Sequence, residues 1–221
     1  MTAIANHAAR FHTLFDRMPL VAILRGIAPA TAAGIDGALT GAGFTLLEVP
    51  LNSPDALTTI AGFAAAAGPD AMVGAGTVLD PARVDDVAGR AGTLVISPNY
   101  NDAVVRRSKA RGLVALPGVA TPSEAFAALA AGADALKLFP AEMIPPVAVK
   151  AMRAVLPADT RLIIVGGVTP QSMRDYLAAG ANGFGIGSSL YKPGDGAEAV
   201  ARKARDFVAA LREARAATGC A

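Results

Sequence analysis

Two charged residues interrupt runs that otherwise predict buried strands. Lys137 lies within the run ALKLF at 135–139, whereas the other four lysines fall on predicted helices or loops. Burying an ammonium group is costly unless it is paired or loses its proton. A desolvated lysine amine becomes a nucleophile near neutral pH. We therefore predict a nucleophilic role for Lys137; the alternative is a structural lysine that pairs with a carboxylate or reaches out of the strand end.

Glu48 is the second isolated charge, in the run TLLEV at 45–49. A partly buried carboxylate can have a raised pKa and can move protons in both directions. This pattern predicts an acid–base role. A buried ion pair with Lys137 is the alternative, and the two interpretations are compatible.

Three further features could hold an anion. Arg25 follows the first apolar run and could bind a carboxylate or phosphate with two hydrogen bonds, or form a salt bridge instead. Glycine-rich turns follow the last two runs, at Gly166-Gly167 and at Gly187-Ser188. Backbone N–H groups in such turns and at helix N-termini attract anions, and barrels commonly bind phosphate there. Two such turns favour a phosphate site over purely structural turns.

Other chemistries have little support in the sequence. The two histidines, His7 and His12, precede every predicted strand, and the single cysteine, Cys220, lies beside the C-terminus. A histidine metal site or a Ser-His-Asp triad is therefore not expected, and we expect neither a metal nor a cofactor. A lysine, one carboxylate and a phosphate site together indicate carbonyl chemistry on a phosphorylated keto compound.

The elements that must position these residues follow a repeated pattern. Eight apolar runs start roughly 20 to 28 residues apart, the length of one βα unit. They cover residues 20–24, 45–49, 71–75, 93–96, 113–116, 135–139, 161–165 and 183–186. We predict an α/β fold, a (β/α)8 TIM barrel, as one domain over residues 1–221, with a short N-terminal helix within 1–18 and the barrel and C-terminal helix in 19–221. The alternative is a doubly wound open sheet, but no run reads as an edge strand.

Helix starts are predicted from capping signals. Thr121-Pro122-Ser123-Glu124 combines an N-cap, a first-turn proline and a capping-box glutamate. The same logic predicts helix starts at Ser53-Pro54, Asp80-Pro81 and Thr169-Pro170.

The composition suits a large core and excludes several partners. The chain has 221 residues, of which 53% are hydrophobic and 17% charged, and its net charge is +2. No apolar stretch approaches the ~20 residues of a membrane span, and the basic residues are too scattered to predict nucleic-acid binding. The N-terminus lacks the features of a signal peptide. With its single cysteine, the chain fits a reducing compartment, and we predict a cytoplasmic protein.

Ordered motifs at the predicted strand ends carry a resemblance to a known family. They are AILRGI at 22–27, EVPLNSP at 48–54, GAGTV at 74–78, SPN at 97–99, LPG at 116–118, LKLFP at 136–140, VGGV at 165–168 and GS at 187–188. From about Pro19 to the last helix, the chain resembles the 2-keto-3-deoxy-6-phosphogluconate/6-phosphogalactonate aldolases. These enzymes are class I aldolases, which act through a lysine Schiff base.

The resemblance implies a role for each matching residue. Lys137 attacks the C2 carbonyl to form an imine, and Glu48 removes the C4 hydroxyl proton through a water and later protonates C3. The resemblance also implies residues that hold or enclose the substrate. They are Arg25 and Thr77 at the carboxylate end or its neighbouring hydroxyls, Gly166, Gly167, Gly187 and Ser188 at the phosphate, and Pro98 and Phe139 as walls around the imine.

The resemblance further implies an enzyme that needs no metal, forms a homotrimer and binds a phosphorylated keto sugar acid. The stretch PLNS at 50–53 and Val165 are similar to the galactonate type rather than the gluconate type. We therefore expect 2-dehydro-3-deoxy-6-phosphogalactonate as substrate. The alternatives are a gluconate-specific or dual-substrate aldolase, a phosphosugar isomerase or synthase in which Lys137 is only a cation, and a non-catalytic phosphate-binding barrel.

Overall fold

Parallel strands form a barrel with helices on its outside. The computed structural model describes residues 7–219. The strands are β1 (Leu20–Ile23), β2 (Leu46–Pro50), β3 (Met72–Gly76), β4 (Leu94–Ile96), β5 (Val114–Leu116), β6 (Gly118–Val119), β7 (Leu136–Leu138), β8 (Leu162–Val165) and β9 (Gly183–Ile186). They are hydrogen-bonded in the order β5-β4-β3-β2-β1-β9-β8-β7-β6, and every pairing is parallel.

The strands β5 and β6 are two parts of one barrel strand, separated by Pro117. Proline has no N–H to donate to a sheet, so the strand is interrupted there. The segment still joins both neighbours, because β5 pairs with β4 and β6 pairs with β7. The Pro117 carbonyl also accepts a hydrogen bond from Lys137 N at 3.0 Å. The predicted eight-unit barrel is thus confirmed, with one strand divided.

Helices cover the barrel, and two of the four predicted starts, at Asp80-Pro81 and Thr121-Pro122, are confirmed. They are α1 (His7–Arg17), α2 (Pro29–Ala42), α3 (Ala56–Ala66), α4 (Pro81–Ala88), α5 (Asp102–Ala110), α6 (Pro122–Ala130), α7 (Pro146–Arg153), α8 (Met173–Ala178) and α9 (Ala197–Thr218), with a 3-10 turn at Ala141–Met143. The Thr121 capping box is formed, and Asp80 accepts from Ala82 N. Of the helices within residues 7–219, none is long and apolar enough to cross a membrane.

Two of the predicted helix starts are wrong. The helix α3 begins at Ala56, and Ser53 Oγ instead accepts a hydrogen bond from Gly26 N at 2.8 Å, so this hydroxyl links two loops. The helix α8 begins at Met173, because Thr169 exchanges hydrogen bonds with Ser172 in a turn before the helix. Ser53 therefore has a partner in another loop, whereas Thr169 makes a local capping contact with Ser172 N but is followed by a turn before the helix.

Inward-facing side chains alternate along the strands and fill the barrel. Leu46 of β2, Ala135 before β7 and Ile163 of β8 belong to one buried cluster inside the barrel. Because side chains in a strand alternate between faces, Glu48 and Lys137 share the inward face with Leu46 and Ala135. The interior is thus apolar at its lower levels and carries two charges near the carboxyl ends of the strands.

The helix α1 closes the amino-terminal end of the barrel. Its apolar face contributes Phe11, Leu14 and Phe15 to the interior cluster. The predicted N-terminal helix is confirmed over His7–Arg17, while residues 1–6 and Cys220 lie outside the described part of the chain. Access to the interior is therefore from the carboxyl ends of the strands.

Candidate active site

A cavity of about 390 Å³ lies at the carboxyl ends of β1, β7, β8 and β9. Barrel enzymes place their active sites at this end. Seven of the ten residues singled out by sequence line this cavity: Arg25, Lys137, Phe139, Gly166, Gly167, Gly187 and Ser188. They come from positions more than 160 residues apart, so only closure of the barrel brings them together.

Lys137 is held inside the barrel wall. Its side chain is 6% exposed, and Nζ lies 5.0 Å from the centroid of the Phe139 ring. A cation at this distance is attracted by the ring face. No carboxylate among residues 7–219 lies within 4.0 Å of Nζ. The alternative of a structural lysine in a direct ion pair therefore does not describe this site.

Glu48 lies deeper, beside a small apolar cavity of about 10 Å³ that it shares with Lys137. It is 1% exposed, and a Cβ atom at Gly76 would overlap its carboxylate, so glycine is needed there. Burial raises the pKa of the Glu48 carboxyl, while the charges of Lys137 and Arg25 act in the opposite direction. The site thus contains a carboxyl group suited to exchanging protons and a separate amine nearby.

Arg25 is positioned by the loop that follows β2. Its Nη1 donates a hydrogen bond to Asn52 Oδ1 at 3.1 Å. The next residue, Gly26, has φ 78°, and its N–H donates to Ser53 Oγ. Arg25 makes a hydrogen bond to a neutral amide rather than the salt bridge considered from sequence, so its charge is not neutralised by a carboxylate there.

The glycine turns after β8 and β9 form another part of the cavity wall. Gly166 and Gly167 have φ values of 116° and 56°, a conformation that glycine adopts without strain. Gly187 begins a single turn in which its carbonyl accepts from Leu190 N and Tyr191 N. Without Cβ atoms, the loops carrying these glycines let a ligand approach the backbone closely, as an anion site requires.

Two predicted residues, Thr77 and Pro98, line neither of these two cavities. Thr77 follows β3 with φ 56°, and Pro98 follows β4 with its carbonyl packed against Gly118, where a Cβ atom would overlap it. Both are at the carboxyl ends of strands, but neither lines the cavity.

The structure adds residues that sequence reasoning missed. Glu142 and Lys192 both line the cavity, and Asn52 contacts Arg25. The sequence contains one indication of their place, nearness along the chain to predicted site residues. Glu142 follows Phe139 by three residues, and Lys192 follows Ser188 by four. Both charges lie in irregular segments, where they do not break a strand pattern and so attract no notice.

A larger cavity of about 640 Å³ lies at the opposite end of the barrel, between α1, α2 and the end of α9. Among its charges, Arg17 and Asp70 are exposed and paired with each other, whereas Asp36 and Arg215 are half-buried. It brings together none of the residues predicted to do chemistry. Within residues 7–219, no three His, Cys, Asp or Glu side chains are grouped as ligands for a metal ion.

A β/α barrel with a buried lysine, a buried carboxylate and a glycine-lined recess at its mouth is the arrangement expected of a class I aldolase, which acts through a Schiff base. The family model "KDPG and KHG aldolase" matches residues 12–202. The chain belongs to this family.

Relatives and solved structures agree with this assignment. The chain is 48% identical over 192 residues (87% of this chain, 91% of the relative) to a probable 2-dehydro-3-deoxy-6-phosphogalactonate aldolase of Rhizobium meliloti (strain 1021). It is 46% identical over 198 residues (90% and 97%) to the 2-dehydro-3-deoxy-6-phosphogalactonate aldolase of Escherichia coli (strain K12). A solved structure described as "Native KDPGal structure" superimposes with a TM-score of 0.88 at 46% identity, covering 90% of this chain and 96% of the other.

Proposed function

We propose that this aldolase reversibly cleaves 2-dehydro-3-deoxy-6-phosphogalactonate to pyruvate and glyceraldehyde 3-phosphate through a Schiff base on Lys137. The observation that carries the proposal is the placement of Lys137 and Glu48 on one small cavity, both buried and not in ion-pair contact. The names of the two relatives that are nearly half identical support the substrate.

Lys137 supplies the nucleophile in this mechanism. Its amine attacks the C2 carbonyl, and loss of water from the resulting carbinolamine leaves a protonated imine. The imine accepts the electron pair of the C3–C4 bond when that bond breaks, giving an enamine of pyruvate. The apolar walls of the barrel below Nζ keep bulk water away from this nitrogen.

Glu48 supplies the proton transfers. As a carboxylate it takes the C4 hydroxyl proton through a water, and the C4 oxygen becomes the aldehyde of glyceraldehyde 3-phosphate. The resulting carboxylic acid then returns a proton to C3 of the enamine. Water hydrolyses the imine, which frees pyruvate and restores the amine. A raised pKa suits a group that must both accept and donate within one cycle.

The remaining residues predicted from sequence bind the two ends of the substrate or enclose it. We assign the carboxylate end or its neighbouring hydroxyls to Arg25 with Thr77, and the walls around the imine to Phe139 and Pro98. The phosphate lies on the backbone of the two glycine turns, at Gly166, Gly167, Gly187 and Ser188. Support for this division is that Arg25 and both glycine turns line the same cavity.

We assign the galactonate epimer on the same basis. Val165 lines the cavity, and Asn52 contacts Arg25. These are two of the positions at which the chain is similar to galactonate-type enzymes. Rates on the two C4 epimers of the substrate test the assignment: we expect a higher kcat/KM for the galactonate compound. Equal values would indicate a dual-substrate aldolase.

Trapping with borohydride tests the Schiff base. The protein is incubated with pyruvate, reduced with borohydride and digested, and the modified peptide is mapped by mass spectrometry. We expect a pyruvyl adduct on Lys137 and none on Lys150, an exposed lysine of α7. Absence of the adduct would contradict the proposal and would favour an isomerase, a synthase or a non-catalytic phosphate-binding barrel.

We further propose that residues 1–221 act as one barrel domain in a homotrimer in the cytoplasm. Support for an assembly comes from Met143 and Val147, whose large apolar side chains are each 74% exposed in the single chain. Sedimentation equilibrium tests the homotrimer. We expect a mass of about three chains, and the mass of a single chain would contradict the trimer.

A further inference from the structure

Lys192 lines the active-site cavity on the loop between β9 and α9, four residues after Ser188. It faces the same space as Gly166, Gly167 and Ser188. Neither the Schiff-base step nor the proton transfers use it. Lys192 would attract an anion bound on these glycine turns, because it lies on the same cavity.

The backbone at Lys192 is firmly held. Its N–H donates to Asp195 Oδ2 at 2.9 Å, and Asp195 also forms an ion pair with Lys203 at 2.7 Å. The adjacent Pro193 packs against Gly26, where an added Cβ atom would lie 2.7 Å from Pro193 Cγ. The loop is therefore fixed between α9 and the β1 loop, although the Lys192 side chain is exposed.

The Lys192 charge acts on the neighbouring Asp195 through space, but it forms no ion pair with that carboxylate. Lys203 neutralises Asp195, and no carboxylate within residues 7–219 lies within 4.0 Å of Lys192 Nζ. The other cations in the cavity have other tasks under the proposed function. Lys137 becomes the imine, and Arg25 is hydrogen-bonded to Asn52 and assigned to the carboxylate end of the substrate. Lys192 is thus the remaining cation for the phosphate.

The glycine turns need such a cation for a second reason. The Glu142 carboxylate lies beside this recess: an added Cβ atom at Gly167 would be 3.1 Å from Glu142 Oε1. A phosphate monoester carries close to two negative charges at neutral pH. Backbone N–H groups and the Ser188 hydroxyl are neutral donors, and they face this repulsion without a compensating side-chain charge unless Lys192 provides it.

We propose that Lys192 is the phosphate-binding cation of this site and makes the enzyme select phosphorylated over unphosphorylated aldehydes. The proposal rests on the aldolase function proposed above. It assigns to Lys192 an interaction with the substrate's phosphate and no part in the bond-breaking steps.

Kinetics of aldol addition test the proposal, with pyruvate and either glyceraldehyde 3-phosphate or unphosphorylated glyceraldehyde. For Lys192→Met we expect the KM for glyceraldehyde 3-phosphate to rise about tenfold, the effect of losing one charge-assisted hydrogen bond. The KM for pyruvate and kcat/KM for unphosphorylated glyceraldehyde should stay within twofold of the wild type. Lys192→Arg should retain most of the affinity, and Lys150→Met, which removes an exposed lysine outside the cavity, should change neither aldehyde.

An equal loss on both aldehydes, or an unchanged KM for glyceraldehyde 3-phosphate, would overturn the assignment of Lys192. Borohydride trapping with pyruvate in the same proteins separates this result from failure of the aldolase proposal, because pyruvate carries no phosphate. If wild type and Lys192→Met both form the Lys137 adduct and the KM is unchanged, only the Lys192 assignment is wrong. If the wild type forms no adduct, both proposals are wrong.

Discussion

The two ends of the barrel interior are filled by side chains of opposite character. At the amino-terminal end, Phe11, Leu14 and Phe15 of α1 close the interior with apolar side chains. At the carboxyl end, Lys137 and Glu48 place two charges on the wall below an open cavity. Packing at the amino-terminal end stabilises the fold, whereas burying Lys137 and Glu48 at the carboxyl end costs free energy. The difference shows that stability and chemistry are separated along the barrel axis.

The two cavities extend this comparison. The larger cavity, at the amino-terminal end, contains solvent-exposed charges such as the pair Arg17–Asp70, whose side chains are 54% and 78% exposed. Water screens such pairs, and they contribute little free energy. The smaller cavity at the carboxyl end is lined by Lys137, which is buried and not directly paired, and Glu48 is buried on the small cavity that adjoins Lys137. Desolvated charge, rather than cavity volume, distinguishes the end that performs chemistry.

Replacing the nucleophile should give the largest effect at the carboxyl end. For Lys137→Met we expect turnover to fall on the order of 10⁴-fold or more, as loss of a nucleophile does in other enzymes. The borohydride adduct should also disappear. The variant should unfold at no lower urea concentration than the wild type, because an apolar side chain replaces a buried amine. Residual turnover above one-hundredth of the wild-type rate would remove Lys137 from the mechanism.

Replacing the acid–base group should have the next largest effect. Glu48→Gln should lower turnover by roughly 10² to 10⁴-fold, the usual contribution of a positioned general acid–base. Imine formation with pyruvate should persist, since Lys137 is untouched. Rapid-quench trapping at several times separates the two steps. Turnover like that of the wild type would exclude Glu48 from proton transfer.

A substitution at the opposite end should affect stability alone. Phe15 is buried on α1, at the closed end of the barrel. Phe15→Ala should lower the free energy of unfolding by about 3 to 5 kcal/mol. The more conservative Phe15→Leu serves as the control and should cost less than Phe15→Ala, because it leaves a smaller cavity. Urea unfolding measures both. The kcat of the folded fraction should be unchanged, and a selective loss of kcat would show that the two ends are not separable.

The pH dependence of stability should show the smallest effect. Burial raises the pKa of Glu48 above its ordinary value of 4.5, so the folded protein binds this proton more tightly than the unfolded chain does. The favourable contribution is complete below the ordinary pKa and is lost as the pH rises through the raised folded-state value. Subtracting the unfolding free energies of wild type and Glu48→Gln from pH 4 to 8 isolates it. A difference that increases in favour of the wild type with pH would contradict the raised pKa.

The same titration should appear in catalysis. The bond-breaking step needs the Glu48 carboxylate, so the acid limb of the kcat profile should lie above pH 4.5 and should be absent from the residual activity of Glu48→Gln.

Much of this architecture could be predicted from local pattern. The eight apolar runs correspond to the barrel strands, and the capping signals at Thr121 and Asp80 correspond to helix starts. One of the two wrong helix starts occurs where a side chain has a distant partner, and the other, at Thr169, where a local turn precedes the helix. Ser53 has the composition of a cap but bonds to Gly26 of another loop, and this contact depends on the packing of β1 beside β2.

The sequence by itself determined which residues could do chemistry inside the strands, because Lys137 and Glu48 contradict the apolar pattern around them. Only the tertiary structure decided which charges in irregular segments join them. Lys192 and Glu142 break no pattern, and they reach the cavity because β7, β8 and β9 end beside one another. Burial of an isolated charge is visible in one segment of sequence, whereas proximity between segments arises only when the barrel closes.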